Sequence, residues 1–188
     1  TLEQLRWIIE MKKVYTAIIL IVLLCGGVLS ANYIFLQRHM NEVLKEDPRN
    51  DGISVWVYYK WFVNSSEINY DLRSVSAENS SLDVSRVMLQ FAEKVKDYDF
   101  SKVYLSYRGK DKFYLKGEYF KTLGQEYGIQ NPVYTLRTIP ENVYMLNGER
   151  AYSVWEGGLL GVMGKQMEDL SDFSKAWYLD DFIKSMSD

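Results

Sequence analysis

The sequence predicts an α+β protein: one amino-terminal membrane helix, then a single domain with an antiparallel or mixed sheet covered by helices. Three observations support this prediction. An uncharged apolar run extends from Val14 to Leu36, β-rich stretches joined by short turns recur after residue 53, and amphipathic stretches separate them. Strand pairs interrupted by amphipathic helices are typical of a sheet that buries one face under helices.

The apolar run has the length of a membrane span. About 20 residues at about 1.5 Å each cross the hydrocarbon core of a bilayer. Met11-Lys12-Lys13 precedes the run, and a basic start followed by an apolar stretch is typical of secretory signals and signal anchors. Residues 1–10 therefore read as extra sequence ahead of a start. We expect a retained signal anchor over 14–36, and a cleaved signal ending near Ser30 stays open.

Basic residues flank both ends of the run, and the lysine pair favours a cytoplasmic tail over 1–13. Residues 37–52 are polar, contain Pro48 and end in a turn-forming Asn-Asp-Gly, so we expect a stalk. Residues 53–188 have the size of one domain. The predicted location is the cell inner membrane, with this domain on the periplasmic side.

Composition excludes several function classes. The net charge of −3 gives no basic footprint, so we do not expect a nucleic-acid partner. The single cysteine, Cys25, lies in the apolar run, and the single histidine, His39, follows it closely. The sequence therefore lacks the residues for Ser-His or Cys-His catalytic sites and for histidine-built metal sites. We expect neither a cofactor nor a metal.

The first elements follow from periodicity. Residues 53–63 are rich in β-branched and aromatic side chains, and 68–72 alternate after a possible turn over 64–66, which predicts a hairpin. Residues 82–96 carry apolar side chains at helical spacing around Phe91, and Ser80 with an acid three residues later indicates a helix start.

The later elements are predicted from residues that favour turns and from residues that end helices. Gly109-Lys110-Asp111 predicts a hairpin, and Gly128 predicts the end of a short helix. The expected elements are strands over 103–108 and 112–115, a helix over 118–127, an extended stretch over 133–137, a strand over 143–145, and a mostly helical end over 159–186 broken near residue 171.

Residue parity in the first strand predicts a candidate binding surface. Odd positions from Ile53 are wholly apolar and should face the core, whereas Trp56 and Tyr58 lie on the other face. The same parity places Tyr104 and Tyr114 on that face. Exposed Trp and Tyr bind sugars or partner side chains well, because they combine a flat apolar surface with a polar edge. The alternative is that this face is covered and its aromatic residues belong to the core.

Two further groups of residues are candidates. On a helix, the glycines would clear one side for close contact with another backbone, within the chain or at an interface; they are Gly157, Gly158, Gly161 and Gly164. Arg137 follows amide and apolar residues, which indicates either a structural clamp or a ligand pocket.

These observations predict a single-pass envelope protein whose domain binds or assembles with another envelope component. Self-association is one form of such assembly. A membrane-tethered hydrolase that uses carboxylates on an envelope polymer is the first alternative. A structural subunit of a membrane complex, held by lateral anchor contacts, is the second.

Overall fold

A computed structural model describes residues 2–187 and has the predicted α+β architecture. The helices are α1 (Leu2–Asn32), α2 (Arg38–Glu46), α3 (Ser81–Lys94), α4 (Gly117–Glu126), α5 (Pro132–Thr138), α6 (Leu159–Ser174) and α7 (Asp180–Ser187). The strands are β1 (Ile53–Lys60), β2 (Asn64–Val75), β3 (Lys102–Tyr107), β4 (Lys110–Lys116) and β5 (Val143–Met145). Two π-helical turns, Tyr33–Gln37 and Lys175–Leu179, join α1 to α2 and α6 to α7.

The strands of the described residues form one mixed sheet in sequence order, β1-β2-β3-β4-β5. Neighbouring strands are antiparallel except β2 and β3, which run parallel because α3 connects them as a crossover. The predicted hairpins β1–β2 and β3–β4 are confirmed, but the first hairpin turns at residues 61–62, and the residues 64–66 expected in the turn lie in β2. The carboxyl end of β1 and the starts of β2 and β3 therefore lie at one end of the sheet, and the β3–β4 turn lies at the other.

The core lies between one face of the sheet and the helices. Val55 and Val57 of β1 are buried there, as the parity of the strand predicts. On α3, Phe91 is fully buried, with its ring centroid 6.0 Å from Tyr70 of β2 and 6.2 Å from Phe120 of α4. Helix α3 begins with the expected capping box, which Ser80 forms with Asp83.

The amino-terminal helix contains the candidate membrane span. Helical backbone continues through α1, the π turn and α2, and Glu10–Glu46 is the one helix of the described residues that is long and apolar enough to cross a membrane. Its most apolar stretch is not buried against the rest of the chain. A core helix of a soluble domain would be buried, so this exposure favours a membrane environment.

The stalk expected over 37–52 is wrong. Met40 and Val43 of α2 are buried in the core, and Leu36 before them is fully buried. Asn50, also buried, donates from Nδ2 to the Val43 carbonyl at 2.9 Å, which fixes the chain after α2. The domain therefore begins inside the apolar run, near residue 32. Apolar side chains at the end of this run pack into the core of the domain, and the sequence alone does not distinguish them from side chains that face a bilayer.

The extended stretch expected over 133–137 is also wrong, since these residues lie in α5. Asn131 caps this helix by accepting from the Val133 N–H at 2.9 Å, and Pro132 occupies its first turn. The carboxyl-terminal stretch is helical as predicted, with its irregular turn at Lys175–Leu179 and not near residue 171.

Candidate binding surface

A row of tyrosines crosses the outward face of the sheet. Cross-strand pairing links Tyr58 to Asn69, Asn69 to Tyr104, Tyr104 to Tyr114, and Tyr114 to Tyr144. The Tyr104 and Tyr114 rings lie 6.0 Å apart between centroids, and Tyr114 stacks on Tyr144 at 5.3 Å. One pleat of the sheet thus aligns Tyr58, Tyr104 and Tyr114. The rings of Tyr104, Tyr114 and Tyr144 form an aromatic ladder, and Asn69 separates this ladder from Tyr58.

Cationic side chains lie over this ladder. Lys102 Nζ is 4.9 Å from the centre of the Tyr114 ring, and Lys116 Nζ is 5.0 Å from that of Tyr144. These stems cover the rings, so Tyr114 and Tyr144 are buried although they lie outside the core cluster. The ladder therefore presents ammonium groups, and not bare ring faces, to a partner.

A polar network supports the first strands of the ladder. Asp111 accepts from Asn69 Nδ2 at 2.6 Å and from Ser106 Oγ at 2.7 Å. Its other oxygen pairs with Lys60 Nζ, which lies 3.9 Å from the centre of the Tyr104 ring. The lysine is fixed by an acid and an aromatic ring together, and this orders the centre of the face.

Trp56 lies beside a second acid, Asp71, which is fully buried. Asp71 is 0% exposed and accepts from the Gly109 N–H at 2.9 Å and from Arg73 Nη1 at 2.8 Å. The Arg73 guanidinium lies 4.8 Å from the centre of the Trp56 ring, and Trp56 is 56% exposed. Asp71, like Asp111, is held by a cation and by hydrogen-bond donors, which is the arrangement of a structural anion.

Tyr58 lies between two hollows of the outward face. Its ring stacks on Phe62 at 5.0 Å, and burial raises the pKa of its hydroxyl to about 12, with the charges of Asp71 and Asp111 adding to the shift. One hollow, of about 520 Å³, includes Tyr58 and Asn69 in its lining. Within the described residues, Asn69 Oδ1 is buried without a hydrogen-bond partner, so this acceptor is not exposed to a ligand in the hollow.

Side-chain amides attach the amino-terminal helix to the free edge of β1. Asn32 Oδ1 accepts from the Tyr59 N–H at 2.7 Å, and Asn32 Nδ2 donates to the Phe62 carbonyl at 2.8 Å. One step along the strand, Gln37 Oε1 accepts from the Val57 N–H at 2.7 Å. These amides satisfy edge groups that would otherwise be available for pairing with another strand.

The π turn explains how both amides reach the same strand. Each residue of an α-helix turns the chain by about 100°, so residues five apart point about 140° away from each other. The i→i+5 turn over Tyr33–Gln37 corrects this offset and brings Asn32 and Gln37 to one side. The candidate span is therefore joined to the sheet without a flexible connection. The only signal in the sequence is one amide, Asn32, inside the apolar run and a second, Gln37, directly after it.

Arg137 acts as a clamp between two helices. Its guanidinium donates to Gln166 Oε1 of α6 and lies 5.1 Å from the centre of the Tyr134 ring on α5. Gln166 in turn donates to Glu141. These contacts are those expected of a structural clamp, which was one of the two interpretations of Arg137. Arg137 lies in α5 and is not part of the tyrosine ladder.

The four predicted glycines lie at the start of α6 and in the segment before it. A Cβ built at Gly157, Gly158, Gly161 or Gly164 would meet no heavy atom of the described chain within 4 Å. They do not mediate close packing within the described residues, and contact with another chain stays a prediction. Close backbone approach occurs instead at Gly124, where an added Cβ would overlap the Ala92 carbonyl of α3.

Comparison with known proteins gives no relative for this chain: no family model, no curated protein and no solved structure matches it. Function is therefore argued from the outward face, the amino-terminal helix and the contacts between them.

Proposed function

We propose that this protein is a single-pass protein of the cell inner membrane, held by a signal anchor, with its domain on the periplasmic side. The long exposed apolar helix supports the anchor, and Lys12 and Lys13 support a cytoplasmic amino end. The hydrogen bonds that Asn32 and Gln37 accept from the Tyr59 and Val57 N–H groups of β1 keep the domain directly at the membrane surface.

The proposed activity is binding of another envelope component through the outward face. One observation carries this proposal: the helices pack on the inward face, while Trp56 on the opposite face is 56% exposed. Exposed Trp and Tyr beside ordered cations are the residue types that dominate protein interfaces. Trp56, Tyr58 and Tyr104 are the proposed contact residues. Tyr114 is buried and packs beside Tyr104.

The charge of the face indicates the chemistry of the partner. Lys60 and Arg73 are neutralised by Asp111 and Asp71. Within the described residues, Lys102 and Lys116 have no ion pair, and each lies against a tyrosine ring. We therefore propose a protein partner with an acidic surface and apolar side chains, since carboxylates complement the ammonium groups.

Photo-crosslinking in the native membrane tests the proposal directly. A benzophenone amino acid in place of Trp56 should capture one partner, whereas the same probe in place of Leu160, an exposed apolar residue of α6, should not. A Lys102→Glu, Lys116→Glu double variant should abolish capture. A Lys165→Glu, Lys175→Glu variant, in α6 and the π turn that follows it, should keep capture. Equal capture at both positions, or no effect of the first charge reversal, would contradict the proposal.

Protease accessibility tests the topology. Protease added to intact spheroplasts should digest the domain, because the proposed orientation exposes it outside the cytoplasm. Protection until lysis would reverse the orientation. Recovery of a soluble chain that begins near residue 30 would show a cleaved signal in place of an anchor.

A further inference from the structure

The turn between β1 and β2 has an unusual combination of backbone and side chains. Trp61 and Phe62 both have positive φ, at 55° and 64°, and Val63 N–H donates to the Lys60 carbonyl at 3.3 Å. Two consecutive positive φ angles define turns of type I′, which strongly prefer Asn-Gly. Bulky residues in the left-handed region are strained, and such strain persists at sites with a function.

This turn does not use its aromatic residues to build the core. Trp61 is 79% exposed, Val63 is 69% exposed and Phe62 is 47% exposed. Phe62 stacks on Tyr58 of the outward face, and its carbonyl is held by Asn32. The turn is thus a fixed, exposed apolar projection.

The contact with Asn32 places the turn at a defined height on the amino-terminal helix. Leu29 precedes this height and Phe35 follows it, and both are exposed on the helix surface. The first exposed charged side chain beyond is Arg38, with 63% of its side chain accessible. Exposed apolar helix surface therefore continues both before and after the level of the turn, and it ends shortly beyond the turn at Arg38.

We propose that the Trp61–Val63 turn inserts into the interfacial layer of the bilayer, as a second membrane contact beside the anchor. This inference rests on the membrane anchor of the proposed function. Trp is enriched at membrane–water interfaces, where its apolar ring and polar N–H are both satisfied. Two contacts fix the rotation of the domain about the helix axis, and they hold the outward face at one angle to the membrane.

Fluorescence quenching in lipid vesicles tests the insertion. The full chain with Cys25→Ala carries a single cysteine, either Val63→Cys or Glu78→Cys, labelled with an environment-sensitive nitrobenzoxadiazole dye. Glu78 is exposed between β2 and α3, at the opposite end of the sheet. Lipids with a nitroxide near the headgroup should quench the dye at Val63 and spare it at Glu78, and aqueous iodide should give the reverse.

Other quenching patterns would overturn the insertion. A dye at Val63 that iodide quenches would show a turn in water, and one that neither agent quenches would show a turn buried by protein. Flotation of the same samples separates this failure from failure of the anchor. Chains that do not float with the vesicles would overturn the anchor and the insertion together.

A Trp61→Asn, Phe62→Gly double variant separates membrane contact from folding. Asn-Gly suits the two positive φ angles, so the midpoint of chemical unfolding should stay the same or rise. Lipid quenching of the dye at Val63 should weaken at the same time. A lower unfolding midpoint, or unchanged lipid quenching, would show that the aromatic pair serves the fold and would overturn the proposal.

Discussion

The two faces of the sheet use aromatic residues in opposite ways. On the inward face, Tyr70 packs with its ring centroid 6.0 Å from both Phe91 and Trp177, and all three side chains are buried by apolar neighbours. On the outward face, Tyr104 and Tyr114 lie under lysine side chains, beside acids that are already paired. Tyr70 thus contacts only rings and apolar side chains among these neighbours, whereas Tyr104 and Tyr114 contact lysines as well as each other.

This difference separates the roles of the two faces. An aromatic residue covered by a helix contributes its whole buried area to folding, so its loss leaves a cavity. A ring covered by a lysine remains accessible to a partner that displaces or pairs with the ammonium group. Residues of the same chemical type are therefore expected to differ in their effect on folding and on binding according to the face they occupy.

The largest effect is expected on the inward face. Phe91→Ala should lower the free energy of unfolding by about 3–5 kcal/mol, because Phe91 is fully buried between the sheet and α4. Chemical unfolding of the chain in detergent measures this change. A loss below about 1 kcal/mol would show that α3 does not pack tightly on the sheet.

Parity is the part of this comparison that the sequence predicts well. In β1 and β3, alternation alone separated Val55 from Trp56, and Leu105 from Tyr104, because one buried face imposes a period of two. What covers each outward ring was not predictable. The lysines that lie on the tyrosines come from other strands, and their position depends on the register across the sheet.

The stalk and α5 show where local pattern is insufficient. Leu36, Met40 and Val43 have the spacing of a buried helical stripe. Leu36 also belongs to the apolar run that was predicted to span the membrane, so the stripe was not recognised as part of the domain core. The helix signal in α5 was local: Asn131 followed by Pro132 is a recognisable helix start. The π turn that aligns Asn32 with Gln37 depends on β1 and has no local signal.

A smaller effect is expected where the amino-terminal helix meets the edge of β1. Gln37→Ala leaves the Val57 N–H without its acceptor, which should cost about 1–3 kcal/mol of unfolding free energy. Asn41→Ala is the matched control, since within the described residues Asn41 accepts from Gln37 and not from β1. Hydrogen exchange at the Val57 amide should accelerate in the first variant. Unchanged exchange would show that the edge is protected by something other than the helix.

Acidic pH should weaken the helix that covers the inward face. A hydrogen bond from the Ser80 hydroxyl, assisted by Arg86, holds the pKa of Asp83 below its ordinary value. The charged form is therefore favoured in the folded state, so its contribution is present above a pH of about 4 and is lost as the pH falls further. The unfolding free energy of Ser80→Ala and Asp83→Asn should depend less steeply on pH in this range.

The smallest effect on folding is expected at Trp56, and it tests the comparison most directly. Its exposed ring contacts the Arg73 guanidinium, and a contact of this kind contributes about 0.5–1 kcal/mol. Trp56→Ala, Tyr58→Ala should therefore keep a cooperative unfolding transition while it removes partner capture, because exposed anchor residues contribute about 2 kcal/mol or more to binding. Loss of the folded domain would mean that the outward face is part of the core. Unchanged capture by a folded variant would place the binding site elsewhere, and the open glycine-bearing start of α6 would then be the next surface to test.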